Sequence, residues 1–167
     1  MDRLKSAFYE KAMASIAEIK PFLKEQDNTI IDQVTIGQVF GGMRGIKSML
    51  WETSLLDANE GIRFRGYSIP ELQSSLPSRG GEPLPEGLFW LMMTNDIPTE
   101  ADVDWLSDEW ERRRKVPEQT WHVLDSLSPD THPMTQLGIA VLSMQHLSEF
   151  ARRYAEGMNK RDYSFLI

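Results

Sequence analysis

Arg44 lies within "GGMRG", flanked by Gly41, Gly42 and Gly45. Three glycines in five residues let a backbone take left-handed angles or come close to a ligand, and a guanidinium offers a planar fork of donors to phosphate. The residues alone support two readings equally: an anion loop, or a tight turn with an incidental cation. "RRRK", Arg112 to Lys115, is the other basic run. At the C-terminal end of a predicted helix it complements the helix dipole, which favours a solvated face over a phosphate patch. His122, His132 and His146 do not fall at metal-ligand spacing on one helix face, and no H-E-x-x-H, G-x-S-x-G or Walker sequence occurs. His132 precedes Pro133 and is assigned to helix entry; His122 and His146 are assigned to the surface or to partly packed positions. No catalytic constellation emerges, and no metal or cofactor is implied.

The whole chain sets the bounds. At 167 residues it is one domain by length, or part of a larger one, with 41% hydrophobic residues and five Trp to build a core. Eighteen basic against 25 acidic residues give a formal charge of −7, which argues against nucleic acid as a partner. Without cysteine there is no disulfide, thiolate nucleophile or Cys-ligated metal. No apolar run approaches the roughly 20 residues that span a bilayer, so no membrane segment is expected. The first twenty residues lack the apolar core of a secretory signal, and Asp2, Glu10 and Glu18 are unlike an acid-poor mitochondrial leader. The expected location is the cytoplasm. The apolar ending at Phe165, Leu166 and Ile167 leads to the expectation of a chain cut through an element.

The elements that must position these residues are mostly helical. Asp2 is placed to cap a helix with Leu4, Phe8, Ala12, Ile16 and Ile19 on one face, stopped or kinked by Pro21. "TIIDQVTIGQVF" reads as extended before the glycine loop. A small hairpin near residues 53–66 turns at Asp57–Gly61, with Ile62 and Phe64 inward and Arg63 and Arg65 outward, as strand charges or partners of nearby carboxylates. Ser68 and Glu71 have capping-box spacing for a short helix ending near Pro77, and a Gly- and Pro-rich loop follows. "LFWLMM", Leu88 to Met93, is apolar right around its helix, which points to deep core or an oligomer interface. Thr99 starts the next helix, Pro117 another, and a long helix is predicted from Pro133 towards Glu156 with Gly157 as its stop.

Five segments carry a resemblance, in order: "GGMRGIKSMLWETSLLDANEGIRFRGYSIPEL", "GGEPLPEGLFWLMMTNDIPTE", "WLSDEW", "HPMTQL" and "FARRYAEGMNKRDY". Together they resemble citrate synthase, of the type found in mitochondria and some bacteria, over nearly the whole chain from about residue 27. The resemblance implies an all-α fold, the N-terminal part of the family's large helical domain, here a single segment over residues 1–167 and about the first third of the family polypeptide. It also implies the family's reaction, acetyl-CoA plus oxaloacetate to citrate and CoA at the entry of the tricarboxylic acid cycle. The catalytic histidines and aspartate of that reaction belong to later segments, so the chain alone is expected to be inactive. Arg44 matches an arginine that contacts a CoA phosphate, and Lys160 falls where relatives carry a second such arginine. Lys160 keeps the charge but loses the fork, and Arg161 stands beside it. A homodimer is expected through helices near 84–95 and 133–147. The alternatives are a 2-methylcitrate synthase, or a free-standing module that binds a partner or a CoA-like anion.

Overall fold

The computed structural model describes residues 3–46, 54–159 and 162 (of Leu55, the backbone only) and divides into two compact units, Met1–Leu106 and Ser107–Ile167. Asp2, residues 47–53, Lys160, Arg161 and the apolar end lie outside the described residues.

In the first unit α1 (Arg3–Gln26) is followed by α2 (Ile36–Phe40), then by β1 (Ser54–Asp57), β2 (Gly61–Phe64) and β3 (Tyr67–Ser68) in one antiparallel sheet. The register places Leu56 opposite Ile62 and Asp57 opposite Gly61. The expected turn is there: the Asp57 carboxylate accepts from the Glu60 and Asn59 N–H groups at 2.9 and 2.8 Å, which holds it below its usual pKa. Next come α3 (Ile69–Ser75), β4 (Ser78–Arg79), β5 (Glu82–Pro83), α4 (Pro85–Thr94) and the start of α5 (Glu100–Arg113). The Ser68–Glu71 capping box forms as its spacing predicts. At Thr99 the side chain of Asp102 closes a second box, accepting from the Thr99 N–H at 2.9 Å.

The unit is built around α4. Its Trp90 joins Leu4 and Leu106 in one cluster, with Phe89, Met93 and Trp105 packed against it; Trp90 and Trp105 meet edge-to-face at 6.5 Å. Its Leu91 joins Leu72 and Leu76 in another, covered by Phe64, Leu88 and Ile97. Clamped between two apolar clusters, α4 leaves only Met92 of its Leu88–Met93 run exposed, which explains why its sequence shows no polar face.

Four local expectations need correction. Residues 36–40 are helical, because the Thr35 and Gln38 side chains make a reciprocal capping box that the extended reading overlooked. Pro21 does not stop α1, which runs on to Gln26; the exposed surface there leaves the carbonyl freed by the missing N–H open to water. The Gly- and Pro-rich loop contains the β4–β5 hairpin, whose Gly80 and Gly81 both have positive φ (65° and 93°), the angles a two-residue turn of the favoured twist demands.

The fourth lies in the second unit, after α6 (Glu118–Asp125). The predicted long helix is broken into α7 (Pro133–Ser143), a 3-10 turn over Gln145–Leu147, and α8 (Glu149–Ala155). Ser148 causes the restart, its hydroxyl accepting from the Ala151 N–H at 3.2 Å. α6 packs on α7, where the hydroxyls of Thr120 and Ser143 are hydrogen-bonded at 2.9 Å. Gly157, at φ 83°, ends α8 as expected, and the Met158 N–H bonds back to the Arg153 carbonyl. His132 Nδ1 accepts from the Met134 N–H at 3.2 Å, which makes it the entry cap of α7.

Candidate anion loop

The glycine loop begins where α2 ends. The Met43 N–H reaches back to the Gln38 carbonyl at 2.8 Å, and the Gly41 N–H to that of Gly37 at 2.9 Å. Gly42, Met43 and Gly45 all have positive φ, at 77°, 66° and 72°. Glycine takes this region freely; Met43 is strained there and is held by its bond to α2. The loop thereby turns sharply and carries Arg44 exposed on its outer side. Among the described residues the Arg44 guanidinium has no hydrogen-bond or ion-pair partner.

Gln38 has the densest bonding in this region. Its Oε1 accepts from the Thr35 N–H at 2.9 Å and from the Thr35 hydroxyl at 3.2 Å, while its Nε2 donates to the Gly45 carbonyl at 3.4 Å. One side chain therefore joins the start of α2 to the far end of the loop. Its sequence signal is the T-x-x-Q spacing at Thr35–Gln38, a spacing easily passed over ahead of so short a helix.

The other sequence-predicted cations have different tasks. Arg63 bonds to Glu60 at 2.8 Å and lies 3.7 Å from Glu71, and Glu60 above all raises its pKa. That is the carboxylate pairing its strand position suggested. Arg65 does not point away from the fold: it donates to the Met92 carbonyl from Nε at 3.0 Å and Nη2 at 2.5 Å. In the basic run, Arg112 and Arg113 pair with Glu109, and Arg114 with Glu111 at 2.8 Å, a solvated helix face. Lys160 lies outside the described residues. No metal-binding group of His, Cys, Asp or Glu occurs among the described residues, and no described helix is long and apolar enough to cross a membrane.

An exposed arginine on a glycine loop suits many anions. Comparison with known families narrows this: residues 42–166 match the family model "Citrate synthase, C-terminal domain". The chain belongs to the citrate synthase family. It is 50% identical over 162 residues to the mitochondrial citrate synthases of Neurospora crassa and Saccharomyces cerevisiae, covering 96% of this chain and 34% of each relative. It is 48% identical over 164 residues to the mitochondrial 2-methylcitrate synthase of Yarrowia lipolytica, over 97% of this chain and 35% of the relative. The chain thus spans about a third of the length of these relatives. The mostly helical architecture with a small sheet is that of a citrate synthase segment.

The cytoplasmic expectation does not stand, because these relatives are mitochondrial by name. The physical reason is local. The segment weighed as a targeting leader is the packed helix α1, with Leu4 in the core and Arg3 bonded to Asp102 at 2.8 Å. Of the acids weighed there, Glu10 and Glu18 lie within that helix.

Proposed function

We propose that this chain is the N-terminal part of the large helical domain of a mitochondrial enzyme that condenses acetyl-CoA with oxaloacetate to citrate and CoA. The observation that carries the reading is the 50% identity to two citrate synthases over 96% of the chain. Within that protein the glycine loop is the part that touches substrate: Arg44 holds a CoA phosphate by charge-assisted hydrogen bonds, with Lys160 as a second cation. The base, the donors for the developing enolate and the groups that polarise the ketone come from the remainder of the polypeptide, and the 167 residues alone do not turn over. Two copies associate through the helices near 84–95 and 133–147; in α7, Met134, Leu137 and Val141 are each more than half exposed, and in α4 Met92 is exposed.

The Yarrowia lipolytica relative favours a second reading, 2-methylcitrate synthesis. A product one methyl larger demands a three-carbon acyl donor, so the two readings separate on the thioester used. The test is calorimetric titration of CoA into the full-length protein and its Arg44→Ala variant. Losing a phosphate contact weakens CoA binding by roughly 1.5–3 kcal/mol and leaves oxaloacetate binding unchanged. Equal CoA affinities for the two proteins would remove Arg44 from the site. Comparing turnover of acetyl-CoA with that of propionyl-CoA then decides between citrate and 2-methylcitrate.

A further inference from the structure

We infer that Gln38 is a positioning residue for CoA recognition: its side chain sets the angle at which the glycine loop presents Arg44. The inference rests on the proposed phosphate role of Arg44 and adds to it a residue that does not itself touch ligand. α2 is only five residues long and has no buried residue, so packing among the described residues does not anchor it. The loop's course is left to local bonds. Three of them run through Gln38: its carbonyl receives the Met43 N–H at 2.8 Å, its Oε1 is fixed on Thr35, and its Nε2 reaches the Gly45 carbonyl at 3.4 Å. Met43 and Gly45, the residues gripped from α2, are the immediate neighbours of Arg44, and both sit at positive φ. Releasing Gly45 frees the loop to rotate, and a bidentate contact is sensitive to orientation in a way that a point charge is not.

An alanine at position 38 removes the amide and leaves the backbone carbonyl in place. The phosphate-specific part of CoA affinity is the relevant readout, so the probes are CoA and pantetheine, its phosphate-free portion, titrated into the full-length protein. Gln38→Ala weakens CoA binding roughly fivefold, the scale of one ordinary hydrogen bond, and leaves pantetheine binding within about twofold. Ser68→Ala serves as the control, because it deletes an equivalent capping box at α3 and leaves both affinities unchanged. In the double variant Gln38→Ala/Arg44→Ala, CoA binds as weakly as with Arg44→Ala alone, since a brace has no effect once the group it aims is gone. Multiplicative losses in the double variant, or equal weakening of CoA and pantetheine by Gln38→Ala, would overturn the positioning role while leaving Arg44 in the site. An Arg44→Ala variant that keeps full CoA affinity would overturn both.

Discussion

Two guanidinium bonds to the Met92 carbonyl make Arg65 a cap for the C-terminal end of α4, supplied from outside that helix. The last carbonyls of a helix lack intrahelical donors, and a cation there also meets the negative end of the dipole. Arg65→Ala is expected to lower stability by about 1–3 kcal/mol, read as a lower urea midpoint at unchanged slope. Strand alternation pointed Arg63 and Arg65 the same way, and it succeeded for Arg63 alone. Arg65 lies just past the end of β2 at φ 52°, where alternation no longer applies, and its partner is 27 residues away. Glu149 offers a pH test at the same scale. Arg152, then Arg153, hold its carboxyl down to about 2 from an ordinary 4.5. A depressed folded pKa means that the stabilisation is complete above the unfolded value and disappears as pH falls through the folded one. The network on α8 should therefore weaken between pH 4.5 and about 2. A carbon NMR titration of the Glu149 carboxyl checks this; a midpoint near 4.5 would mean that the two arginines do not engage it.

Helices show which physical signals survive in a sequence. Boxes at Ser68–Glu71, the stop at Gly157 and the all-round apolar α4 could be read directly, since each depends on residues within a turn or two. The break before α8 could not, because Leu142, Leu147 and Phe150 continue the apolar pattern across it, and only the Ser148 hydroxyl marks the restart. Ser148→Ala should cost about 1 kcal/mol and lengthen α7 towards α8, which amide exchange across residues 144–148 would report. The larger effect belongs to α4. Leu91 is fully buried between α3 and the Phe64 strand, so Leu91→Ala should destabilise by about 2–5 kcal/mol. A loss below about 1 kcal/mol would show that the second cluster is not a packed core. The proposed site was readable only in part: Arg44 stood out by its glycines, whereas the Gln38 side chain bonds across seven residues to Gly45, which no periodicity announces.

At the scale of the whole molecule, charge and apolar surface point in different directions. A formal charge of −7 keeps copies apart at long range, while α7 leaves Leu137 and Val141 more than half exposed. Apolar surface of this kind on one helix face is seldom left open to water, and a two-fold axis through α7 would cover it with the same residues of a second copy. Sedimentation equilibrium of the full-length protein should give a dimer, and Leu137→Asp should shift it towards monomer; an unshifted mutant would place the interface elsewhere. The division of labour proposed here, CoA phosphate held by this chain and chemistry supplied by the rest, is open to one direct measurement. Thiol release from acetyl-CoA with oxaloacetate is followed for the full-length protein and for the repurified 167-residue chain in parallel. Turnover is expected from the full-length protein and none from the chain alone. Sustained release by the chain alone, abolished by substituting any of His122, His132 or His146, would contradict it.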